Sequence, residues 1–111
     1  MVIAVRTDIG MSVGKIAAQV AHAAVAATLS SLGTPELQPW LEQGMTKVVV
    51  RVGSREALQE RVERARDNGV RFSRIADAGR TEVEAGTETC CCFGPAPQSA
   101  LDAVTGDLPL L

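Results

Sequence analysis

Two short segments of this chain are dense in polar side chains beside stretches that must otherwise be buried. The first, Met11-Ser12-Val13-Gly14-Lys15, opens a long alanine-rich run. If that run is a helix, its free backbone N–H groups and the positive end of its macrodipole gather at this mouth and attract anions. Lys15 strengthens the field, although a cation at a helix N-terminus is locally unfavourable. A residue set against its structural preference points to function. The full G-x-x-x-x-G-K-[ST] phosphate loop is absent. By spacing alone, contact with a phosphate or an oxyanion and an ordinary helix start weigh equally.

The second segment is Asp77-Ala78-Gly79-Arg80-Thr81, followed by Ala85-Gly86-Thr87-Glu88-Thr89. An aspartate after a strand, with a glycine turn and several hydroxyls, can hold a water or a sugar hydroxyl. The carboxylate can serve as general base while threonines orient the water or an ester carbonyl. The residues alone favour the plainer alternative, a turn in which Asp77 caps backbone N–H groups.

His22 is the single histidine, so any Ser-His-Asp or Cys-His arrangement must pass through it. Its place deep in the alanine-rich run predicts a packed, hydrogen-bonded side chain. Cys90-Cys91-Cys92 is an odd cluster without C-x-x-C spacing. Successive strand residues face opposite ways, so the three cannot converge on one metal. They read as small apolar strand residues. No histidine, cysteine and carboxylate set has metal spacing, and no metal is expected.

The elements that must position these groups follow from periodicity. Val2 to Arg6 predicts a first strand, and a long helix follows from Ser12 or Val13 to Leu32, with Ser12 as cap and Gly33 as stop. Ile16, Val20, Ala23 and Ala27 form its apolar stripe, with Lys15, Gln19 and His22 on a neighbouring face. Thr34 as cap and Pro35 at the first helical position predict a second helix carrying Leu37, Trp40 and Leu41, ended by Gly44. Thr46 to Val52 predicts a strand with Val48-Val49-Val50 buried on both faces. Ser54 caps a third helix through Asn68, with Leu58, Val62 and Ala65 inward and Gly69 closing it. Its pairs Glu60–Arg64 and Glu63–Arg66 read as a solvated face more readily than as a tRNA contact. Phe72 to Ile75 and Thr87 to Phe93 are strands around an Asp77 to Gly86 loop. Gly94-Pro95-Ala96-Pro97 breaks the chain before a last helix, Gln98 to Val104. The order β-α-α-β-α-β-β-α is that of one α/β domain over residues 1–111.

With 111 residues, 46% apolar and 22% charged, the chain has the composition of a globular domain able to bury one core. Eleven basic and 13 acidic residues give a net charge of −2, which argues against a general nucleic-acid coat but leaves room for a local basic patch. No run approaches the roughly 18 apolar residues of a membrane span. The start carries no signal-peptide pattern, so the cytoplasm is the expected compartment.

At these same segments the chain resembles the type II, archaeal and eukaryotic peptidyl-tRNA hydrolase family. The matching residues are Val5-Arg6-Thr7-Asp8, then Gly14-Lys15-Ile16-Ala17-Ala18-Gln19-Val20-Ala21-His22-Ala23-Ala24-Val25. They continue with Asp77 to Thr81, Gly86 to Thr89, Gly94 to Pro97 and Thr105-Gly106-Asp107-Leu108, and so run in order through nearly the whole chain. The resemblance implies a mixed four-stranded β-sheet sandwiched between helical layers, commonly a homodimer. It also implies cofactor-free hydrolysis of peptidyl-tRNA, recycling tRNA after abortive translation. Family active-site residues carry over onto Lys15, Asp77, Thr81 and Thr89. Gln19 and His22 belong to the same motif and, with Arg6, Arg80 and Thr87, are expected to bind substrate.

One departure stands out. The family often reads Lys-Met-Gly-Lys-Gly-Lys where this chain reads Gly10-Met11-Ser12-Val13-Gly14-Lys15. Two lysines are gone, which predicts weaker or more salt-sensitive tRNA binding, with Arg6, Arg51, Arg74 and Arg80 as substitutes. The chain also lacks the N-terminal extension of some eukaryotic relatives, as expected of a free soluble enzyme. The rival reading is a non-catalytic tRNA- or RNA-binding adaptor on the same scaffold. A thiol-dependent enzyme built on Cys90 to Cys92 is a distant third.

Overall fold

The unbroken apolar run Met1 to Val5 suits a strand covered on both faces, and it lies in the interior of the sheet. The computed structural model describes residues 1–79 and 82–111. The elements are β1 (Val2–Arg6), α1 (Val13–Ser30), α2 (Leu37–Glu42), β2 (Val48–Val52), α3 (Arg55–Asp67), β3 (Phe72–Ala76), β4 (Glu88–Phe93) and α4 (Gln98–Thr105), in the expected order. They build one four-stranded mixed sheet in the order β2-β1-β4-β3. β1 pairs parallel with β2 and antiparallel with β4, and β3 pairs antiparallel with β4.

The alternation of strand side chains divides the core in two. Val2, Ala4, Cys91 and Phe93 pack with Leu58, Val62, Leu101 and Val104 under α3 and α4. Met1, Ile3, Val5, Cys90 and Cys92 pack with Ala23 and Ala27 of α1 on the other face. The cysteines are therefore what the alternation predicts, buried free thiols shared between two faces. Burial pushes the thiol of Cys90 up to about 11 and that of Cys92 up to about 12. Inert, enclosed thiols of this kind do not suit thiol catalysis.

Several expectations need correction. The buried line of α1 is Gln19, Ala23 and Ala27, not Ile16, Val20, Ala23 and Ala27; Ile16 and Val20 flank it, half-buried. Thr34 does not cap α2. Its hydroxyl turns back to the Ser31 carbonyl at 2.7 Å, closing the exit from α1, and α2 starts two residues after Pro35 with Glu36 at its cap. Val48 is exposed and Val49 only half-buried, because β2 is an edge strand. Thr46 lies outside the strand, its carbonyl accepting from the Met1 amino group at 3.0 Å and from Trp40 Nε1 at 2.9 Å. The outer edge of β2 is covered by the chain's own tail: Arg51 N donates to Pro109 O and Leu111 N to Val49 O.

The caps at Ser12 and Ser54 are present, each hydroxyl accepting from the backbone N–H three residues on. Leu58, Val62 and Ala65 are fully buried, and the Glu60–Arg64 and Glu63–Arg66 pairs form on the exposed face of α3. Arg61 is a surprise on that helix. Its stem is buried, and its guanidinium reaches the Val104 carbonyl at 3.1 Å and the carboxylate of Asp107. No helix among the described residues is long and apolar enough to cross a membrane.

Candidate active site

α1 crosses β3 and β4 so closely because alanines line its inner face. Lys15 and Gln19 continue the Ala23–Ala27 line toward the helix N-terminus, one turn apart, and so arrive over the end of β3 where Asp77 begins. Lys15 Nζ forms an ion pair with Asp77 Oδ1, joining residues 62 apart in sequence. Gln19 Nε2 donates to the same oxygen at 3.4 Å, and the Gly79 N–H donates to Oδ2 at 2.6 Å.

The Asp77 turn has a rigid neck. Asp77 N donates to Thr87 O and Gly86 N to Asp77 O, both at 2.8 Å. Gly79 has φ +77°, and a Cβ there would lie 2.5 Å from Ala85 N, so no side chain fits. Asp77 thus does cap a backbone N–H, as the plainer alternative supposed, and it also faces a cavity. The two alternatives describe one residue.

That cavity, about 860 Å³, is lined by Gly14, Lys15, Gln19, His22, Asp77 and Glu82 among others. Asp77 is only 6% exposed. The Lys15 ammonium holds its carboxyl below the usual carboxylate range; burial opposes this, and the Gly79 N–H reinforces it. His22 stands exposed on the rim, not packed as its alanine-rich surroundings suggested, because its position on α1 turns it away from the sheet.

Thr89, on β4, is fully enclosed at 0% exposure, its hydroxyl donating to Gln19 Oε1 at 2.6 Å. Arg6 and Thr87 are not in this cavity. They line a neighbouring one of about 350 Å³ with Arg55 and Glu88, and the Arg6 guanidinium is held by Asp8 and by the Glu88 carbonyl. The two cavities adjoin at Ala76. Arg74 lines the first, paired with Glu88 at 2.7 Å. Arg80 and Thr81 lie outside the described residues.

Sequence reasoning missed Glu82. Its carboxylate accepts from the Ser12 N–H at 2.8 Å and from the Ser12 hydroxyl, so an acid of the chain itself occupies the mouth of α1. The favourable field of a helix N-terminus explains the attraction, but nothing local in the sequence signals a partner 70 residues away. With Asp77 and Glu82 beside it, the unfavourable placement of Lys15 is offset.

Among the described residues no group of histidine, cysteine and carboxylate side chains could hold a metal ion. What the cavity offers is a cation, an ionised acid with one oxygen facing few donors, and buried hydrogen-bonding groups behind them. Such a set can orient a water and stabilise a developing negative charge.

The family described as "Peptidyl-tRNA hydrolase PTH2" matches residues 1–111. A peptidyl-tRNA hydrolase of Metallosphaera sedula is 52% identical, covering all of this chain and 98% of its own length. One from Saccharolobus solfataricus is 47% identical over the same shares, and one from Halobacterium salinarum is 50% identical over 98% of this chain and 96% of its own. On a match of this extent, the chain belongs to the peptidyl-tRNA hydrolase PTH2 family.

Proposed function

We propose that residues 1–111 act as one peptidyl-tRNA hydrolase domain, cleaving the ester between a peptide or N-blocked amino acid and the tRNA 3′ end at the Lys15–Asp77 cavity. The observation that carries this is the meeting of Lys15 and Asp77 on an open cavity in a chain that matches the family from end to end. The ester is already activated, so positioning and charge stabilisation suffice without a covalent intermediate. Asp77, ionised at neutral pH, holds the attacking water. As the carbonyl becomes an oxyanion, Lys15 turns from Asp77 toward it. The main influence lowering the carboxyl then leaves, and burial raises its basicity at the moment the water must lose its proton. Thr81 is assigned the ester or the water by family position, His22 and Arg74 the rim, and Arg6, Arg80 and Thr87 the approach of the tRNA.

The test is release of N-blocked aminoacyl groups from tRNA at low salt. Cleavage by the parent supports the reading, whereas tRNA binding without cleavage favours the adaptor. The cytoplasm remains the proposed compartment, consistent with three buried free thiols. A homodimer is proposed on Val25 and Leu29 of α1 and Leu32 in the turn just after it, which stand 58%, 61% and 66% exposed. A monomer mass by light scattering at micromolar concentration would remove that proposal.

A further inference from the structure

Thr89 and Gln19 enter the site in an unexpected way. Both are buried, at 0% and 4% exposure; Thr89 lies behind the cavity, while Gln19 forms part of its wall with its amide engaged by Asp77 and Thr89. Their polarity is nonetheless dictated. An ionised carboxylate accepts hydrogen bonds and donates none, so the amide group of Gln19 that faces Asp77 must be its NH₂. That turns Oε1 toward Thr89, and the Thr89 hydroxyl must then donate its proton to it, at 2.6 Å. With that proton directed at the amide oxygen, the Ile75 carbonyl lying farther off at 3.4 Å, and no base against it among the described residues, the hydroxyl is not an activated nucleophile. The Gln19 backbone carbonyl accepts from the Cys90 thiol at 3.5 Å, which ties this turn of α1 to β4.

We propose that Gln19 and Thr89 are positioning residues: a buried relay, Thr89 hydroxyl to Gln19 amide to Asp77 Oδ1, fixes the rotation of the Asp77 carboxylate. Lys15 and Gln19 both hold Oδ1, and among the described residues Gly79 alone donates to Oδ2. The remaining lone pair of Oδ2 is the place for the attacking water. When Lys15 leaves for the oxyanion, Gln19 is the side chain that still holds Oδ1. The relay rests on the reading of Asp77 as the group that orients water, and it moves Thr89 from contact with the ester to support of the acid.

Steady-state cleavage of N-blocked aminoacyl-tRNA by Thr89→Val, Thr89→Ser, Gln19→Met and the Thr89→Val/Gln19→Met double variant tests it, with circular dichroism for folding. Thr89→Val is expected to lower kcat about tenfold with KM within about twofold, since only orientation is lost. Thr89→Ser restores most of the rate. The double variant is no worse than Gln19→Met alone, because the two residues act through one path. Gln19→Met also moves the acid limb of kcat upward, since Asp77 loses a donor.

Parent-like kcat in Thr89→Val, a rise in KM alone, additive losses, or an acyl group trapped on Thr89 would each overturn the relay. Should Thr89→Val fail to fold, Gln19→Met decides: it can neither accept from Thr89 nor donate to Asp77, so parent-like turnover sinks the idea. Asp77→Ala separates the two readings. If it cleaves like the parent, the site itself is wrong; if it is inactive while Thr89→Val is parent-like, only the relay is wrong.

Discussion

Lys15–Asp77 and Arg61–Asp107 each join a helix cation to an acid far along the chain, and in each the cation holds the carboxyl below its usual range. Their surroundings differ. Asp77 is enclosed, faces a cavity, and has Gln19 and Thr89 behind it. Asp107 is largely exposed, and its partner spends another N–H on the Val104 carbonyl at the end of α4. A depressed carboxyl therefore does not mark a site by itself, since structural ion pairs depress carboxyls too. Open space beside the acid, and buried polar groups that lead to it, make the difference.

The sharpest way to break this comparison is to remove each acid. Asp77→Ala and Lys15→Ala are expected to lower cleavage by a hundredfold or more, about 3 kcal/mol of barrier, in initial-rate assays. Asp107→Ala should cleave like the parent. Equal losses from both acids would erase the distinction.

The next largest effect lies in stability. Arg61→Ala removes bonds from a buried guanidinium to the Val104 carbonyl and to Asp107, and is expected to lower urea stability by about 2 kcal/mol while leaving kcat unchanged. A large fall in kcat at full stability would make this pair functional as well.

The smallest effect is in pH dependence. Both acids have folded values below their unfolded ones, so each contributes stability above the unfolded range that is lost as pH falls through the folded value. Cleavage by the parent is expected to hold steady down through the ordinary carboxylate range and fall only below it. In Lys15→Ala the main lowering influence is gone and burial remains, so the residual activity should fall at higher pH. An unmoved acid limb would separate Asp77 from the pH profile.

Much of the fold was legible because its cues are local. Ser12 and Ser54 cap the helices they precede, Gly69 follows the helix it closes, and the cysteines alternate between faces as a strand requires. Thr34 misled for an equally local reason: its hydroxyl could serve the helix after it or the turn before it, and packing chose the turn. Val48 misled because an apolar run looks the same in a central strand and in an edge strand.

The site divides along the same line. Residue types and their order in the chain marked Lys15, Asp77, Gln19 and Thr89 and tied them to a family, since types and spacings are properties of the sequence. The inward turn of Gln19, the exposure of His22, the enclosure of Thr89 and the arrival of Glu82 at the mouth of α1 were decided by tertiary structure alone. Each depends on where α1 lies across β3 and β4, and that placement is set by the summed packing of alanines and strand residues from distant parts of the chain.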